Sequence, residues 1–221
     1  AGPAVAFMGF PLGYALNNQG MITIVAVTLG PTFVVTFSTL RTISRLAFQV
    51  MNVINNTVWP EISVAYGSGN LLLTRKLHHR ACQLSIWLSS TIVICLLFAG
   101  ETILEVWTKG KVEIDLAVFH IFLFVVIANS LWLTSSVVPS AINQHQKTAF
   151  CFLMGTGASV VVALYITPKW GLSGTAISVL ATDLIMSVYV LRTSLNLLQE
   201  SFSSFVRVIL RPPNIISILS I

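Results

Sequence analysis

The chain has 221 residues, of which 55% are hydrophobic and only 9% are charged. Soluble domains carry roughly 25% charge, so the composition excludes an ordinary soluble domain and points to a protein of the bilayer. The formal charge of +5 rests on only 12 Lys and Arg, gathered at the ends of apolar runs as orientation signals are, which argues against nucleic acid as a partner.

A helix needs about 20 apolar residues to cross the hydrocarbon core, and six such runs follow one another. The first covers about 3–28, interrupted near Gly9-Phe10-Pro11 and Gly13, with Tyr14, Asn17, Asn18 and Gln19 at mid-depth. These amides are consecutive and cannot share one helical face unless the helix unwinds locally. The second run opens at Pro31 and continues to about Asn56, or on to Val64 past Trp59-Pro60. The third is about 81–106, the fourth 115–142, the fifth 148–167 and the sixth 172–197. The three cysteines (Cys82, Cys95, Cys151) lie in or beside apolar runs and read as small buried hydrophobes, without a disulfide framework or a metal site.

The second run carries the strongest signal. Ser38, Arg41, Arg45, Gln49, Asn52 and Asn56 fall within about 80° of helical arc. A charge at the bilayer centre costs about 2.5–3.5 kcal/mol on insertion scales, so such residues usually face a polar cavity. The arginines either pair with acids on other helices or recognise an anion, since guanidinium matches phosphate bidentately and stays charged when desolvated. Acids are scarce at depth. Asp183, about twelve residues into the sixth run, is the clear mid-span carboxylate, while Glu61 follows a proline near the inner end. Asp183 is thus either an arginine's partner or an ion-coupling group.

The fourth run places Asn129, Ser136, Ser140 and Asn143 on one face, where they either bond neighbouring helices or line a polar route. His120, near its outer end, reads as structural. Gly155, Gly157 and Ser159, with Gly171, Gly174 and Ala176, permit close packing of the last two runs. No nucleophile–base pair, metal-ligand cluster or phosphate-cradling glycine loop is recognisable, so the sequence implies no catalytic residue, metal or cofactor. The reading is movement of a substrate rather than its conversion, and hence not an enzyme.

Between the second and third runs lies the basic amphipathic stretch 71–80, with Arg75, Lys76 and Arg80, suited to a membrane surface. Placing it in the cytoplasm brings Lys147, Arg192, Arg207 and Arg211 to the same side and leaves Lys109, Lys111 and Lys169 outside, as the positive-inside rule requires. Both ends of the chain are then cytoplasmic. After the sixth run, Phe202, Phe205, Val206, Ile209 and Leu210 repeat at helical spacing, which predicts an interfacial helix ended by Pro212-Pro213. The expected organisation is a six-helix membrane bundle over 1–198 and a cytoplasmic amphipathic tail over 199–221. The start at Ala1-Gly2-Pro3, without Met or a signal peptide, reads as a C-terminal piece of a longer polytopic protein.

Residues Thr36 to Leu46, then Gln49 and Trp59-Pro60-Glu61-Ile62-Ser63-Val64-Ala65-Tyr66-Gly67, resemble the O-antigen and polysaccharide flippases of the multidrug, oligosaccharidyl-lipid and polysaccharide exporter superfamily. Pro168-Lys169-Trp170-Gly171-Leu172-Ser173-Gly174-Thr175-Ala176 looks like that family's last core hairpin, and the turn Asn143 to Lys147 also fits. The resemblance covers roughly 3–200. It implies an all-α fold of twelve or more helices in two bundles with alternating access, of which this chain is the C-terminal six. It implies a bacterial inner-membrane protein that flips lipid-diphosphate-linked oligosaccharides for surface polysaccharides such as lipopolysaccharide. Arg41 and Arg45 would hold the diphosphate, with Gln49, Asn52, Asn17 and Asn129 bonding sugar hydroxyls and Asp183 as the ion-coupling candidate. The implied partners are the lipid-linked substrate, the bilayer, the N-terminal bundle and the polysaccharide polymerase machinery. Rival readings are a multidrug extrusion antiporter of the same superfamily, which the arginines disfavour, and a membrane-embedded polymerase or ligase, which the short outer loop 107–114 disfavours.

Overall fold

The structure, a computed structural model, describes residues 8–211, and no strand occurs among them. The expected start of the first run at 3–7 and the Pro212-Pro213 stop lie outside the described residues.

Helix α1 (Gly9–Ala15) passes without a break through a π turn, Leu16–Gly20, into α2 (Met21–Thr28). Gly30, at φ 99°, ends this rod, and Pro31 opens α3 (Pro31–Gly67); proline suits a first helical position, where its missing N–H costs nothing. Gly69, at φ 77°, reverses the chain. Asn70 then caps α4 (Leu71–Thr108), its side chain accepting from the Leu73 N–H at 3.0 Å. Left-handed Lys109 and Gly110 stop α4. Asp115 caps α5 (Leu116–Ser135) through the Val118 N–H at 3.1 Å.

A short α6 (Val137–Ala141) extends α5 past a break at Ser136. Pro139 lacks the N–H that would otherwise serve the Ser135 carbonyl four residues back. That carbonyl instead accepts from Ser194 Oγ at 2.7 Å, so the break ties the fourth run to the last. Helix α7 (Gln146–Leu197) is two rods joined at Gly171, whose φ 58° and ψ −146° suit glycine alone. The arms 146–170 and 172–197 run antiparallel: Ser159 Oγ donates to the Ser178 carbonyl at 2.6 Å, and Thr167 and Thr175 hydroxyls meet at 2.8 Å. A Cβ on Gly174 would lie 3.0 Å from the Ile166 carbonyl, so only glycine lets the arms close this far.

The main apolar cluster joins α2, α3, α4, α5 and both arms of α7 around Phe37, Phe119 and Phe122. Between α4 and α5 the seam is polar and hydrogen-bonded. Ser85 meets Thr134 at 2.7 Å, and Ser89 donates to Ser130 at 3.1 Å. The outer surface is apolar: Phe98 is 87% exposed and Val106 74%. Polar pairs inside and large hydrophobes outside suit lipid as the surrounding solvent. Helix α4, the run Leu116–Ala141 and α7 are each long and apolar enough to cross a membrane. The chain is a helical membrane protein.

Two expectations change in detail. The stretch 71–80 is no separate surface segment but the first turns of α4, because Asn70 caps the helix there and no breaker follows before Lys109. At 38 residues α4 is about 57 Å long, well beyond the hydrocarbon thickness. The described part of the tail forms α8 (Phe202–Ile209), capped by Ser201. It packs against the bundle rather than resting its whole apolar face on lipid, for Phe205 and Ile209 are buried with Cys82, Leu191 and Leu195. Phe202 and Leu210 remain exposed.

Candidate functional site

The polar stripe of α3 faces inward across the bundle. With the π turn, α5 and the second arm of α7, it encloses a cavity of about 200 Å³. Arg41, Arg45, Gln49, Asn52, Asn17, Asn129 and Asp183, the seven residues singled out from sequence, all line it. Phe48, Phe122, Val125 and Val179 supply its apolar surface. The ends of the stripe, Ser38 and Asn56, do not reach it.

The two arginines differ. Arg41 is 9% exposed and spends both terminal nitrogens on one residue, donating to the Asn17 carbonyl at 2.9 Å and to Asn17 Oδ1 at 2.6 Å. Its guanidinium also sits 5.8 Å from the centre of the Phe37 ring, within cation–π range. Arg45, one turn further along, is exposed to the cavity, and no hydrogen bond or ion pair reaches it from the described residues.

Asp183 is 2% exposed, and its Oδ1 accepts from Trp132 Nε1 at 2.7 Å and Asn129 Nδ2 at 2.9 Å. No ion pair joins it to either arginine; among the described residues, the ion pair within 4.0 Å is His79–Glu200. The pairing of arginine with Asp183 is therefore not what holds the helices together here. Glu61 is exposed and lies away from the cavity.

Asn17 and Asn18 both line the cavity although they are adjacent. The π turn accounts for this, since an extra residue in the turn rotates the face it presents. The turn is wedged from behind: a Cβ on Gly13 would sit 2.7 Å from the Phe152 ring, and one on Gly20 3.1 Å from Val160. Gln19 remains outside, as the consecutive spacing implied.

Of the polar face read on the fourth run, Asn129 alone lines the cavity. Ser136 Oγ returns to the Leu133 carbonyl at 2.7 Å, and Asn143 takes a left-handed turn conformation at φ 58°. His120 is exposed beside Phe119, away from the site. Three contributors were not assigned a role from sequence. Tyr14 and Ser44 line the cavity, the latter with its hydroxyl buried and unpartnered, and Trp132 orients Asp183. Ser44 follows Arg41 by three, a spacing that could have found it; the Trp132 bond has no signature in sequence.

The fold and the cavity define a class, a membrane-embedded helical bundle with a cationic internal site. Comparisons with family models, with curated proteins and with solved structures give no match.

Proposed function

We propose that the chain is one six-helix half of a flippase for lipid-diphosphate-linked oligosaccharides in the bacterial inner membrane. The observation that carries this reading is Arg45, a guanidinium open to an internal cavity with no hydrogen-bond or ion-pair partner among the described residues. Two arginines against one aspartate leave the lining net positive. An anion that must cross hydrocarbon would recover its lost hydration there through charge-assisted hydrogen bonds. The amides of Gln49, Asn52, Asn17 and Asn129 are the kind of donors and acceptors that bind sugar hydroxyls.

The six rods, counting α1–π–α2, α3, α4, α5–α6 and the two arms of α7, are read as six spans with both ends cytoplasmic. The cavity is smaller than the roughly 300–1,000 Å³ of a drug-sized site. It suits the diphosphate and an adjoining sugar, with the rest of the substrate held by a facing bundle. Rocking of the two bundles would expose the site to each leaflet in turn. Asp183 is the coupling candidate.

The test is a null strain assayed for the location of lipid-linked repeat units. A flippase defect leaves them intact on the cytoplasmic leaflet. Unjoined units in the periplasmic leaflet would instead indicate a polymerase or ligase, and normal export with new drug sensitivity a multidrug antiporter.

A further inference from the structure

A π turn in a membrane helix gives up regular hydrogen-bond geometry, so something around it must hold it open. Here it is gripped from two sides. Behind it, Gly13 and Gly20 let α7 approach so closely that a Cβ at Gly13 would collide with the Phe152 ring and one at Gly20 would press on Val160. In front of it, the Arg41 fork closes on both oxygens of Asn17. With one N–H of each terminal nitrogen held by Asn17 and only 9% of the residue exposed, Arg41 presents little of its remaining donor set to a ligand. Arg45 stands in the cavity and donates to none of the described residues.

The geometry points to a division of labour: Arg41 is a positioning residue that locks the π turn through Asn17, and Arg45 is the residue that touches the anion. This rests on the anion-binding reading above and refines it. The arginines are not a matched pair of phosphate ligands. Arg41 sets which amides face the cavity, since the turn it holds is what brings Asn17 and Asn18 to one side.

The experiment uses the full 221-residue chain in lipid nanodiscs, with inorganic pyrophosphate as the anion probe and a thiol reagent as a reporter of the turn. The reporter is an Asn18→Cys chain in which the three native cysteines are replaced. Asn17→Ala, which removes only the Oδ1 acceptor, is expected to change the Asn18→Cys labelling rate by about tenfold, the scale of one lost hydrogen bond to a charge, and Arg41→Ala, which removes both bonds, by more. Arg41→Ala removes both bonds of the clamp, including the one to the Asn17 main-chain carbonyl that Asn17→Ala leaves in place, so the double substitution should match Arg41→Ala alone. Arg41→Lys, with one ammonium for two oxygens, should restore part of the effect. Arg45→Ala should leave labelling unchanged and abolish pyrophosphate binding, which Arg41→Ala reduces only in part.

Labelling unaffected by Arg41→Ala, or additive effects of Arg41→Ala and Asn17→Ala, would overturn the clamp. Pyrophosphate binding that survives Arg45→Ala but is lost in Arg41→Ala would reverse the assignment. Absence of pyrophosphate binding in the unsubstituted chain would overturn both the Arg45 role and the anion reading, while the labelling arm, which needs no anion, still decides the clamp.

Discussion

Arg41 and Asp183 line one cavity from different helices and are not paired: the guanidinium donates to Asn17, and the carboxylate accepts from Asn129 and Trp132. Each buried charge is compensated by neutral dipoles rather than by the other. Ion-paired, they would cancel within the cavity and leave Arg45 as its single uncompensated charge. Kept apart, each instead fixes its own neighbours, Arg41 the π turn through Asn17 and Asp183 the side chains of Asn129 and Trp132, and among the described residues no ion pair joins α3 to α7.

Trp132 is the residue whose loss should tell most about Asp183. Trp132→Phe keeps most of the ring volume and removes one donor to a buried carboxylate, for an expected loss of about 1–3 kcal/mol. Asn129→Ala should cost a similar amount. The two should be coupled by about 0.5–3 kcal/mol in a double-mutant cycle, because they serve the same oxygen. Unfolding of the purified protein in mixed micelles measures all three.

The site was more legible than the elements that shape it. The arginine stripe could be placed from spacing alone, because residues three and four apart on a long helix must share a face. The adjacent amides Asn17 and Asn18 resisted the same logic. A π turn depends on glycines meeting Phe152 and Val160 from a distant helix, and the local sequence does not display that contact. For the same reason the start of α4 was hidden: hydropathy marks where apolar residues begin, whereas Asn70 and its cap mark where the helix begins. Gly174 was legible as a packing residue, whereas Gly171, read the same way, has open space where a Cβ would stand and is required by its backbone conformation instead.

Glycine substitutions in α7 should separate by environment. At Gly174 a methyl group meets the Ile166 backbone, which cannot yield as a side chain would, so Gly174→Ala should destabilise by about 1–3 kcal/mol. A methyl group added at Gly157 would have no neighbour within 4 Å, and the residue lies in a helix interior, so Gly157→Ala should be neutral or stabilise by about 0.5–1 kcal/mol. Gly171→Ala is costly for a different reason, strain at φ 58°, of order 1–3 kcal/mol. Midpoints of thermal unfolding rank the three.

Helix α8 is held by a few contacts that can be removed singly. His79 Nε2 lies 2.6 Å from Glu200, Arg75 Nε donates to the Leu198 carbonyl at 2.6 Å, and Phe205 stacks on His78. Phe205→Ala should undock the helix, at a cost of about 3–5 kcal/mol for a fully buried ring. Glu200→Gln should loosen it by about 1 kcal/mol. Amide hydrogen exchange over 202–209 should quicken in both, more in the first, with exchange in α5 unchanged.

The most direct test of the cationic-cavity account, and of the proposed flippase function with it, is export of surface polysaccharide by strains that carry Arg45 variants, with membrane levels checked. The account predicts that Arg45→Ala inserts normally and fails to export, and that Arg45→Lys restores part of the activity because it keeps the charge and loses the fork. Normal export by a well-inserted Arg45→Ala protein would contradict it.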